Sequence, residues 1–93
     1  MVVRLTNFKV SANDAEEVKK IYNGEVVPEV KKQQGNTNVM LLEPTDGSGE
    51  FISLTVWENK AAADAYHSSG KYKELVAKIK GLIGDPVLKT YNA

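Results

Sequence analysis

Residues 51–72 read FISLTVWENKAAADAYHSSGKY, and the order of elements in this stretch decides the fold. Alternation over residues 50–57, EFISLTVW, gives a strand with two unlike faces. Ile52, Leu54 and Val56 make an aliphatic face, while Phe51, Ser53, Thr55 and Trp57 make a mixed one. A strand of this kind sets one side on helices and the other on something less dry, which in a dimer is the partner's sheet. Asn59 then offers an N-cap to a helix that runs to about Ser68. Its apolar residues are small, Ala61, Ala62, Ala63 and Ala65, before Tyr66. Small side chains allow close approach or leave room beside a helix. Ser69 and Gly70 break it.

Working outward, residues 38–43 (NVMLLE) form the strand before this one, joined to it by the turn-rich PTDGSG of residues 44–49. The pair reads as an antiparallel hairpin. After the break, Tyr72, Leu75, Val76 and Ile79 recur at helical spacing. Gly81 and Gly84 end that helix, and VLKTY, residues 87–91, is a last strand. Upstream, residues 2–10 form a first strand. Val3 and Leu5 share one of its faces with Asn7, and Arg4, Thr6 and Phe8 share the other.

Between the first two strands lies one long helix. Asn13 is its expected N-cap, with Glu16 as capping-box partner. Val18, Ile21, Tyr22, Val26 and Val30 carry the apolar stripe to about Gln34, and Gly35 is the stop. Pro28 removes a backbone donor and presses on the carbonyl of Gly24, so the helix should kink. The kink either wraps the helix around the sheet or opens space for a ligand between helix and sheet.

The order β-α-β-β-α-α-β, with the last two helices taken as one broken helix, is the ferredoxin-like βαββαβ pattern of the α+β class. Residues 1–93 form one domain, with helices on one face of a four-stranded antiparallel sheet. The other face would expose an apolar patch of a kind monomers avoid, so a homodimer through the sheet faces is expected.

Composition bounds the function. Lys plus Arg is 12 and Asp plus Glu is 12, so the net charge of zero argues against general nucleic-acid binding. With no cysteine, thiolate catalysis, disulfides and Cys-type zinc sites drop out. One histidine cannot make a multi-histidine metal site within one chain. No apolar run is long enough for a membrane span and no secretory signal is visible, so a cytoplasmic location is expected.

TVWENKAAADAYHSSGKYKEL and EVVPEVKKQQG, with its helical proline and terminal glycine, resemble the antibiotic biosynthesis monooxygenase family of dimeric α/β barrels. The likeness in element order covers nearly the whole chain. It implies a ligand cleft between sheet and helices in each subunit. The family contains cofactor-independent oxygenases of polycyclic aromatics, haem-degrading enzymes and members without established chemistry. The haem-degrading branch uses a first-strand asparagine, a tryptophan in the short helix and an iron-ligating histidine in the next helix. Asn7 matches the first, but Tyr66 and Val76 stand at the other two positions, so haem degradation is disfavoured and no cofactor is expected. The oxygenase branch is matched at Trp57, whereas Ser53 replaces an asparagine and lacks an amide's paired donor and acceptor.

Two readings apply to each site residue. Asn7 either pairs with a neighbouring backbone group or lines the cleft. Trp57 is either a structural anchor or an aromatic wall whose indole N–H meets a ligand oxygen. His67 points to solvent if Ala61, Ala62 and Ala65 are the buried stripe, but sits at the cleft edge, as a general base, if Ala62, Ala63 and Tyr66 are. Tyr22, Tyr66 and Tyr72 either pack or donate phenolic hydrogen bonds. The expected function is cofactor-independent oxygenation of a small phenol- or quinol-like aromatic. In it Asn7, Trp57 and His67 carry the chemistry, while Ser53, Tyr22, Tyr66 and Tyr72 bind the ligand. The alternative is a non-catalytic barrel that binds a small molecule or serves an interaction role.

Overall fold

Strand pairing fixes the architecture of the computed structural model, which describes residues 1–93. Four antiparallel strands, β1 (Val2–Lys9), β2 (Asn36–Leu42), β3 (Glu50–Trp57) and β4 (Val87–Asn92), lie in the order β2-β3-β1-β4. The helices are α1 (Ala15–Ile21), α2 (Val27–Lys31), α3 (Lys60–Ser68) and α4 (Lys71–Ala77). This is the α+β ferredoxin-like arrangement, with the second helix broken at Ser69–Gly70, where Gly70 takes φ 88°.

The first helix is not continuous. A π-helical segment, Tyr22–Val26, joins α1 to α2, and the Val27 N–H reaches back five residues to the Tyr22 carbonyl. Pro28 has no N–H for the Gly24 carbonyl, so the chain widens just ahead of it. The wider turn has a packing consequence. Val18, Tyr22, Val26 and Val30 are spaced by four, a stripe that drifts around an ordinary α-helix. With the π segment inserted, all four are buried. The helix starts at Asp14 rather than Asn13 and makes no side-chain cap, because the Asp14 carboxylate accepts from the Ser11 hydroxyl instead.

The short helix α3 behaves as its cap implies: the Asn59 side chain accepts from the Ala62 N–H. Its small residues serve close approach. Ala63 is buried, and a Cβ placed on Gly35 would lie 2.5 Å from the Ala62 Cβ. Gly35 also has φ 85°, so the alanine and the glycine fit each other.

The register sets up the two sheet faces. Val2 opposes Trp57, Arg4 opposes Thr55, Thr6 opposes Ser53 and Phe8 opposes Phe51, all on the helix-covered face. The mixed face of β3 therefore lies under the helices, and the aliphatic face of Ile52, Leu54 and Val56 points away. The covered face is thus the mixed one rather than the drier one. The reason is volume: Phe8, Phe51 and Trp57 need helices over them to leave water, and each is at most 3 % exposed. No helix is long and apolar enough to cross a membrane.

Candidate functional site

The helix-covered face has a distinct order along β1 and β3. Its two ends are dry. At one, Trp57 packs with Val2, Tyr22 and Ala63; at the other, Phe8 and Phe51 pack with Val18. Between them run two polar cross-strand pairs, Thr6–Ser53 and Arg4–Thr55. A cleft opens over this polar strip. Arg4, Thr6, Ser53 and Thr55 form its floor, and the helices supply the roof, including Tyr22, Tyr66, His67 and Tyr72. The remaining walls are largely aliphatic, among them Val26, Leu75 and Ile79. The enclosed volume is about 60 Å³, room for a few waters.

Three of the four polar floor residues have a defined partner. The Tyr22 hydroxyl and Ser53 Oγ share a hydrogen bond of 2.5 Å. Thr55 Oγ1 accepts from the Trp57 indole N–H at 2.9 Å. Arg4 donates to the Ala63 carbonyl at 2.9 Å, to Asp64 and to Thr90 Oγ1 at 3.2 Å. Arg4 thereby ties α3 to the sheet. Asp64 also receives Lys60 at 2.7 Å. These contacts with Lys60, and then with Arg4, hold the Asp64 carboxyl below its ordinary range.

The aromatic side chains form a relay. Trp57 stacks on Tyr66 with centroids 5.0 Å apart, Tyr66 meets Tyr72 edge-on at 5.9 Å, and His67 stacks on Tyr72 at 4.3 Å. Burial raises all three cleft phenols above the usual tyrosine range. For Tyr22 the Ser53 hydrogen bond pulls part of the way back. For Tyr66 the neighbouring Tyr22 and Tyr72 add to the rise. For Tyr72 the Arg4 charge and the Thr6 hydroxyl oppose it. At neutral pH these groups are therefore protonated hydrogen-bond donors.

The structure brings together Ser53, Tyr22, Tyr66, Tyr72 and His67 around the cleft. His67 is exposed at the rim, as follows from a buried stripe of Ala63 and Tyr66. Two expected lining positions are corrected. Asn7 is exposed and shares its face with Val3 and Leu5, away from the helices, because β1 turns Arg4, Thr6 and Phe8 inward. Trp57 is fully buried, its indole N–H satisfied by Thr55, so it backs Tyr66 rather than facing a ligand. The sequence reading missed Arg4 and Thr6, although their shared parity with Phe8 was visible in β1.

The residues do not fit a haem. Val76 lines the cleft where the resemblance implies a ligating histidine, and the one imidazole of the chain is stacked on Tyr72. No three His, Cys, Asp or Glu side chains gather as a metal site.

Comparison with known proteins now bears on this geometry. The family model for antibiotic biosynthesis monooxygenases matches residues 1–78. No curated protein matches the sequence significantly. An assigned antibiotic biosynthesis monooxygenase of Deinococcus radiodurans superposes with a TM-score of 0.85 at 18% identity, covering 100% of this chain and 92% of that one. A mutant of SnoaB, a cofactor-independent oxygenase from Streptomyces nogalater, gives 0.83 at 16% identity, with 99% and 91% covered. The haem degrader MhuD of Mycobacterium tuberculosis, with two haems in its active site, gives 0.79 at 21% identity, with 100% and 95% covered. At these identities the three structures share the fold with this chain.

Proposed function

The chain belongs to the antibiotic biosynthesis monooxygenase family, and from that premise we propose that it oxygenates a small phenol- or quinol-like aromatic in the cleft without a cofactor. One observation carries this reading: an aliphatic-walled cleft with protonated Tyr22, Tyr66 and Tyr72 above a floor of Thr6, Ser53 and Thr55. A reduced phenol, once deprotonated, supplies its own electrons to dioxygen. The protein's part is then to position the ring, donate hydrogen bonds to oxygen atoms that gain charge, and keep water out. The Tyr22–Ser53 pair supplies one oxygen-binding point. The raised phenols act as donors, not as bases. In this reading the rim residue His67 takes the substrate proton; its exposure at the cleft edge supports that role.

The same reading includes a second copy of the chain. Met40, Leu42, Val87 and Tyr91 lie on the helix-free face, each at least 37 % exposed. Together with Ile52, Leu54 and Val56, and with Val3 and Leu5 of β1 between them, they form a largely apolar surface, interrupted by Asn7 and Lys89, that a partner's sheet would cover.

Incubation with single-ring hydroquinones and with anthrones, in air and under nitrogen, tests the chemistry. Product should require both oxygen and protein, with single-ring compounds preferred because the enclosed volume is small. Equal product in both atmospheres, or no dependence on protein, removes the oxygenase reading. Saturable binding without turnover supports the non-catalytic alternative.

A further inference from the structure

We propose that the cleft selects aromatics bearing a carboxylate, and that Arg4 is the residue that recognises it. This rests on the reading of the cleft as a site for a phenol-like ring and narrows the class of ring it takes.

Arg4 is the one fully charged residue of the cleft lining, and no aspartate or glutamate lines it. Its side chain is only 11 % exposed. A guanidinium has five N–H donors. Three are engaged, by Thr90, Ala63 and Asp64, which leaves two without a protein acceptor. The charge is not cancelled either. Asp64 serves Lys60 as well as Arg4, so two cations share one carboxylate and the trio keeps a net charge of +1. Asp64 is 47 % exposed and screened by water, while Arg4 is sheltered at the cleft. An anion in the cleft therefore meets a cation in surroundings of lower dielectric than bulk water.

The polar groups near Arg4 suit a carboxylate. Arg4 and Thr6 are successive residues on the inward face of β1, and both line the cleft together with Tyr72. Together they offer the guanidinium edge and two hydroxyls to an anion's two oxygens. The aliphatic walls and the Tyr66 ring remain for the aromatic body. An arginine serving only to tie α3 and β4 to β1 needs its three engaged contacts and gives no ligand preference.

The probe pair is 2,5-dihydroxybenzoate and 2,5-dihydroxybenzamide, similar in shape and different in charge. Binding to the full chain is followed at pH 7 under nitrogen through fluorescence of Trp57, which stacks on the cleft residue Tyr66. Oxygen chemistry thus plays no part in the readout. The benzoate should bind about tenfold more tightly or better, as expected for a charge-assisted pair. Arg4→Gln should remove that preference, weakening the benzoate about tenfold more than the amide. Arg4→Lys should restore part of it. Asp64→Asn should strengthen benzoate binding several-fold, by roughly the share of charge the carboxylate now neutralises, and leave the amide unchanged. Equal binding of the two probes, or equal weakening of both by Arg4→Gln, overturns the carboxylate inference alone. Failure of the native chain to bind either probe overturns it together with the aromatic reading of the cleft.

Discussion

On the helix-covered face of the sheet, large aromatics are buried at both ends and hydroxyls occupy the middle. On the opposite face, aliphatic side chains run along β3 while Met40, Leu42, Val87 and Tyr91 stay exposed. The mixed face is thus the covered one and the drier face the open one. A face that holds a ligand needs polar groups at chosen points, held by protein partners yet with capacity left for the ligand. Ser53 has Tyr22, Thr55 has Trp57, and Arg4 has Asp64 and two further acceptors. A face that meets another copy of itself needs only matching apolar surface. In the proposed function, ligand and partner take opposite sides of one sheet.

The sharpest way to break this contrast is to remove the aromatic that anchors the covered face. Trp57→Ala should destabilise the fold by about 3–5 kcal/mol, as for large aromatic truncations in cores. Urea denaturation of this variant should show the same loss at every protein concentration. A change on the open face should behave differently. Met40→Lys places a charge in the proposed contact between copies and should weaken dimerisation by about a hundredfold, close to 3 kcal/mol. Sedimentation at micromolar concentration reads this, and the chain should stay folded because Met40 is 39 % exposed without a partner. If the native chain sediments as a monomer, the partner half of the comparison fails.

Smaller effects sharpen the covered face. Ser53→Ala leaves the buried Tyr22 hydroxyl with only the Met40 carbonyl at 3.5 Å. It should cost about 1 kcal/mol in urea denaturation and weaken ligand binding as well. The smallest effects lie in pH. The three phenols have folded pKa values above the unfolded value of about 10. The folded chain holds more protons there, so their contribution is intact below about pH 10 and stability falls as pH rises beyond it. Absorbance at 295 nm should show these groups ionising late, together with unfolding. Asp64 has the opposite sign. Its folded pKa is depressed, so its contribution is present above about pH 4 and fades as pH falls through the lower folded value. Denaturation of Asp64→Asn and the native chain should converge in acid.

Much of the fold was legible because local signals agreed. Alternation placed β3 at residues 50–57, Asn59 capped α3, and Ser69–Gly70 broke the helix where expected. Alternation sorts residues into two faces but does not say which face the helices cover. That choice depends on where three large aromatics can be buried, a tertiary fact. The error over Asn7 and the omission of Arg4 share this origin, since both lie on β1 at opposite parity. The π-helical segment was half legible. Pro28 announced a disturbance, but keeping Val18, Tyr22, Val26 and Val30 on one buried stripe took a widened turn rather than a simple kink. Trp57 read as anchor first and wall second, and the Thr55 hydroxyl that takes its N–H bears out the anchor.

A crystal structure of the protein soaked with a hydroquinone tests the assignment of the two faces most directly. The ring should lie between the Thr6–Ser53 floor and the tyrosine roof, with a ring oxygen within hydrogen-bond distance of the Tyr22–Ser53 pair. A second copy should cover Met40 and Leu42. A hydroquinone bound on the helix-free face, with the cleft closed over its own side chains, would contradict the account.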